Sequence, residues 1–169
     1  GLDPAWSLDL SCEDPDDGLL WDMSKPEKRQ KARDMLRRDK PELLVACPMC
    51  GPFSSWMHIN YGKVTDEEAR KKLQEGLEHL RFSLELCYEQ HKEGRLFLFE
   101  HPVAATSWGT RMMAEMRKLE GVYAVNFDFC VLGMKAVDRE GNEGPAKKRT
   151  KVLTNSGHIA SSLAMAHCS

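Results

Sequence analysis

In the stretch CPMCGPFSSW, Cys47 and Cys50 stand three residues apart among Pro, Gly and Ser. Three chemistries use such a pair: half a metal site, a redox couple, or one exposed thiol on a loop acting as a nucleophile. The apolar run ELLVAC ends at Cys47, so Pro48 and Cys50 fall just past a strand, where a thiol is accessible and a nearby Arg or Lys can lower its pKa. A cysteine packed as a small hydrophobe is the alternative, favoured for Cys87 and extending to Cys47.

Two further stretches carry chemical groups. Glu100 sits at the end of the apolar run RLFLFEH, where a carboxylate either meets solvent or points into a cleft. His101 beside it is a base or a structural histidine. KKRTK brings Lys147, Lys148, Arg149 and Lys151 into five residues before another apolar run. Such a run is a solvated loop or an anion contact, and Arg149 and Lys151 share a face if the strand begins early.

The chain has 169 residues, 41% of them hydrophobic, which suits one domain with its own core. A formal net charge of -2 gives no overall attraction to nucleic acid, so such binding must come from local cations like Lys147–Lys151. Six cysteines spread through a chain of this size do not read as a disulfide framework. No apolar run approaches the roughly 20 residues that span a bilayer. The expectation is a protein without membrane association, in the cytoplasm or nucleus.

Short strand-like runs alternate with longer helical ones, the pattern of a mainly parallel sheet covered by helices. Strands are expected at 5–10, 42–47, 95–101, 122–129 and 150–155. Ser24 with Glu27, and Thr65 with Glu68, read as capping boxes opening helices. The second helix carries Ala69, Leu73, Leu77, Leu80, Leu84 and Tyr88 inward and ends near Gly94. Ser107 is the expected cap of a helix with Met112, Met116 and Leu119 inside, and 138–148 is too rich in Gly and charge to be buried. A short Ala-rich helix closes the chain. In open sheets of this kind ligands bind at the carboxyl ends of strands, so Asp9, residues 47–54, Glu100 and the loop before Thr150 are expected to form the site.

Taken in order, these motifs resemble the cytosine-C5 methyltransferases. Pro48-Met49-Cys50 with Phe53 and Ser54 is similar to the family's Pro-Cys motif, Glu100-His101-Pro102 to its Glu-Asn-Val motif, and Lys147-Lys148-Arg149-Thr150-Lys151 to its Gln-x-Arg-x-Arg motif. His101 takes the place of Asn, and Lys that of both outer residues of the basic motif. The texture of EHP and KVLTNS is similar to methylase-like segments of retroelement or viral polyproteins.

The resemblance implies a Rossmann-like three-layer α/β/α methyltransferase fold, with residues 1–169 as a single catalytic domain. The family's first strand and Phe-x-Gly-x-Gly loop have no counterpart before GLDPAW, and its target-recognition region none at the other end, so the expected fold is N-terminally incomplete. It implies S-adenosyl-L-methionine as cofactor, with Asp9 on the ribose hydroxyls, Asp22 on the adenine amine and Pro48 lining the pocket. Cys50, Glu100 and Arg149 would be the catalytic group, and Ser54, Lys147, Lys148 and Lys151 would contact nucleic acid, DNA before RNA. Two other readings stand beside this one. One is an inactive module of a polyprotein that binds nucleic acid or protein. The other is a zinc site built from Cys47 and Cys50 with Cys130, His101 or Cys168.

Overall fold

The computed structural model describes residues 3–54 and 65–168. Ser55 and Trp56 of the opening motif lie outside them. The chain divides into two compact units, Gly1–Glu42 and Leu43–Ser169.

The first unit carries helix α1 (Pro26–Asp39). The strand expected at 5–10 does not form, because Asp9 organises a turn instead. Its carboxylate accepts from the Ser11 N–H at 2.9 Å, and its carbonyl from the Cys12 N–H at 2.8 Å. Nor does Ser24 cap α1. Its N–H donates to Asp22 at 2.9 Å, so Lys25 becomes the cap residue and Pro26 takes the first helical position, where its missing N–H costs nothing. Fully buried Asp14 accepts from Lys28 at 2.6 Å and Lys31 at 2.5 Å, tying the turn before α1 to the helix. Both ammonium groups also lie over the buried ring of Trp21, 5.0 and 5.4 Å from its centroid.

The second unit is a four-stranded sheet in the order β1-β2-β6-β3: β1 (Leu43–Ala46), β2 (Leu96–Pro102), β6 (Arg149–Thr154) and β3 (Tyr123–Asp128). The class is α/β, but the mainly parallel sheet is not observed. β1 and β2 pair in parallel, whereas β6 pairs antiparallel with both β2 and β3. The chain leaving β3 turns through a small hairpin, β4 (Lys135–Val137) with β5 (Glu143–Pro145), and returns directly alongside it with Asp128 opposite Arg149. That direct return makes β6 antiparallel. β1, β2 and β3 still point the same way, so their carboxyl ends and the start of β6 share one edge.

Helix α2 (Asp66–Lys92) links β1 to β2, and its capping box is formed: the Thr65 hydroxyl accepts from the Glu68 N–H, and Glu68 accepts from the Thr65 N–H. Gly76, Leu80, Leu84 and Cys87 are buried along it, while Leu73 and Tyr88 of the expected stripe are exposed. Helix α3 (Arg111–Met116) is capped by Thr110, not Ser107, and buries Met113 and Met116 rather than Met112. Ser107 lies in a 3-10 turn with its hydroxyl on His101.

Strand β1 is not a buried strand: among the described residues it pairs with β2 alone, and Val45 is 57% exposed. Phe97, Phe99 and Leu153 are fully buried on one face of the sheet. On the other, Val152 and Phe127 pack with Ala166 and Leu163, the latter from helix α4 (Gly157–Ala164). Cys130 and Cys168 form a disulfide, because Asp128 draws the tail back along β3 through the Ala166 carbonyl and the Cys168 N–H. That single bond is not the framework the composition argued against. Among the described residues, no helix is long and apolar enough to cross a membrane.

Candidate functional site

Cys50 lies four residues beyond β1, at the start of a 3-10 turn, Gly51–Phe53, and is half-buried. That turn is held from several directions. His101 Nε2 lies 3.1 Å from the Pro48 carbonyl, and the Thr106 hydroxyl donates to the Phe53 carbonyl at 3.3 Å. Within it, the Phe53 N–H donates to the Cys50 carbonyl at 3.0 Å and the Ser54 N–H to the Gly51 carbonyl at 3.1 Å. Phe53 is a buried anchor, 2% exposed, with its ring 5.7 Å from that of His101.

Cys47 is exposed, not packed as the sequence suggests, yet its thiol is pushed up to about 11, first by desolvation and next by the Glu100 charge. A thiol held so high is a poor nucleophile at neutral pH. Cys87 on α2 is the inert type, fully buried and raised strongly by desolvation.

Glu100 lies near the carboxyl end of β2, on the strand that neighbours β1. Its side chain is 12% exposed and pairs with Lys148 at 3.2 Å. Lys148 also stands over the Phe129 ring at 5.0 Å, so its ammonium bridges a carboxylate and an aromatic face. Lys147 is exposed. Arg149 opens β6 with its Nε 3.6 Å from Asp128 Oδ1, and its side chain is mostly exposed. Asp128 itself is buried, with Oδ2 accepting the Cys168 N–H and Oδ1 lacking a hydrogen bond. Arg149 thus belongs to the Asp128 corner, and the turn after Cys50 is held by His101 and Thr106 instead. Lys151 lies opposite His101 across the sheet, with Nζ 5.1 Å from the Trp108 ring centre. Ser54 closes the 3-10 turn through its N–H.

The residues read as the cofactor clamp are engaged otherwise. Asp9 is exposed, and one carboxylate oxygen accepts both the N–H and, at 2.6 Å, the hydroxyl of Ser11. Those bonds hold its pKa below the usual carboxylate range. Asp22 accepts from the Ser24 N–H and, through its carbonyl, from the Lys25 N–H. Asp9 does not end a strand. The zinc reading also loses its partners, since Cys130 and Cys168 are bonded to each other and both ring nitrogens of His101 are occupied.

His101 is the residue whose role the sequence left open. It is fully buried, 0% exposed, and burial outweighs the Pro48 bond and the Glu100 charge to set its pKa below the ordinary histidine value. The signal lay in the period-two alternation of β2, which puts His101 on the same face as Phe97 and Phe99. No protein family, curated protein or solved structure matches this chain.

Proposed function

We propose that residues 43–169 carry the base-activating half of a cytosine-C5 methyltransferase-like site, acting on DNA in preference to RNA. The observation that carries this reading is the juxtaposition on β1 and β2. Cys50 follows one strand in a turn anchored at both ends, and the mostly buried Glu100 stands near the carboxyl end of its parallel neighbour.

Cytosine C5 is too poor a nucleophile to take a methyl group unaided. Addition of the Cys50 thiolate to C6 opens the C5–C6 double bond and places its electron pair on C5, giving an enamine. Glu100 meets the base edge at N3 and the exocyclic amine, where charge develops, and Lys148 yields its place on Glu100 as the base enters. In a duplex the base must first be flipped out. Loss of the C5 proton to a base and expulsion of sulfur from C6 restore the ring. Lys147, Lys148, Arg149 and Lys151 supply cations for the phosphate backbone. S-adenosyl-L-methionine is the donor this reading implies, with Asp9 and Asp22 as its expected clamp, each already bonded within its own turn to Ser11 and Ser24.

That last observation favours a second reading, a module of a larger polyprotein that binds nucleic acid without transferring a methyl group. An oligonucleotide containing 5-fluorocytosine, incubated with the chain and S-adenosyl-L-methionine, separates the two. Fluorine at C5 cannot leave as a proton, so completed methyl transfer traps a covalent complex that survives denaturation. Binding without trapping supports the module.

A further inference from the structure

We propose that His101 is a positioning residue for the thiol turn: as the neutral ring protonated on Nε2, it holds the Pro48 carbonyl and so fixes the place from which Cys50 acts. The proposal rests on the reading of Cys50 as the reacting thiol.

The chemistry of the two partners assigns the proton. A carbonyl oxygen only accepts, so the 3.1 Å contact to Pro48 requires hydrogen on Nε2. A neutral ring then carries a lone pair on Nδ1, and the Ser107 hydroxyl, 2.7 Å away, must donate to it. The result is a one-directional relay from Ser107 through the ring to the thiol turn. Protonating Nδ1 would turn the Ser107 hydroxyl round to accept, and its own hydrogen would then need a new partner in a pocket closed by Phe53, Phe99 and Trp108 with ring centres 5.3–6.4 Å away. Glu100 and Lys148, the charges within electrostatic reach, act in opposite directions on the ring, and Lys151 across the sheet is drawn to Trp108.

Pro48 has no N–H, so the chain leaving β1 is not secured through a donor there, and its carbonyl is the handle that His101 grips. Thr106 grips the far end at Phe53. Both Ser107 and Thr106 come from the same 3-10 turn after β2, so one short segment controls both ends of the stretch that carries Cys50.

The test uses the full chain labelled with 15N. In the wild type, long-range proton–nitrogen spectra should show His101 protonated on Nε2 only, and still neutral as pH falls through the ordinary histidine value of 6.5. Ser107→Ala removes the donor to Nδ1 while sparing the packing; the Pro48 carbonyl still requires hydrogen on Nε2, so the tautomer should be kept while the Nδ1 resonance moves toward that of an unbonded lone pair. His101→Leu should raise amide exchange at Phe53, whose N–H bonds the Cys50 carbonyl, by about tenfold and change the rate of Cys50 alkylation by iodoacetamide. His101→Gln keeps a donor at the Nε2 position and should restore both to within about threefold of wild type. A proton on Nδ1 overturns the proposal. So does wild-type exchange and alkylation in a folded His101→Leu chain, or an Nδ1 resonance left unmoved by Ser107→Ala. None of these measurements involves nucleic acid, so their failure is separate from failure of the cytosine reading.

Discussion

Gly76 faces Pro52 so closely that a Cβ on the glycine would stand 2.7 Å from the Pro52 Cβ and 2.8 Å from its Cγ. The proline ring is part of the backbone and cannot swing aside as a flexible side chain would. This contact is where α2 meets the turn that follows Cys50. Gly76→Ala should therefore lower the thermal midpoint and alter Cys50 alkylation, although Ala is favoured over Gly in a helix interior by about 1 kcal/mol. A raised midpoint with unchanged alkylation would show that the turn gives way freely.

Glu100 and Lys148 should separate chemistry from attraction. Glu100→Gln is expected to slow activation of the base by about 10²–10³-fold while leaving noncovalent binding in place, because the shape is kept and the charge is lost. Lys148→Met should instead weaken binding across sequences and reduce the slope of log affinity against log salt by about 1. Affinity titrations at several salt concentrations check both. Equal loss of binding in the two variants would contradict the division of roles.

His101 predicts a pH dependence of stability whose sign follows from its lowered pKa. The unfolded chain takes up a proton near 6.5, and the folded chain does so only below that. Between those values the unfolded state binds more protons, so stability is full above about pH 6.5 and falls as pH drops through that window. His101→Gln cannot titrate and should lose this part of the slope. Denaturant unfolding from pH 7.5 to pH 5 measures it, and an identical slope in both chains would contradict the assignment.

Local signals in the sequence were legible where they act locally. Thr65 and Glu68 are three residues apart and satisfy each other, so the start of α2 could be read from spacing alone. The neighbouring strands before Cys50 and at Glu100 were equally plain from their apolar runs. What failed were choices settled by a competing partner. Asp9 spends its carboxylate on Ser11 and abolishes a strand; Ser107 gives its hydroxyl to His101 instead of a helix. The direction of β6 was illegible for another reason: period-two alternation is the same in parallel and antiparallel strands, and only the direct return from Asp128 to Arg149 decides it. The grip of His101 on Pro48 spans 53 residues, beyond any local pattern.

Whether Cys50 adds to cytosine C6 decides the proposed function most directly. Addition makes C5 nucleophilic, so in heavy water C5 should take a deuteron; loss of its original proton and of the sulfur then leaves cytosine deuterated at C5. No methyl donor is required. The full chain, incubated in heavy water with a cytosine-containing DNA oligonucleotide, should exchange the C5 hydrogen well above the buffer rate by mass spectrometry. Cys47→Ser should retain that exchange and Cys50→Ser should abolish it. Exchange at the buffer rate in the wild type, or exchange that survives in Cys50→Ser, would contradict the assignment of Cys50 as the nucleophile.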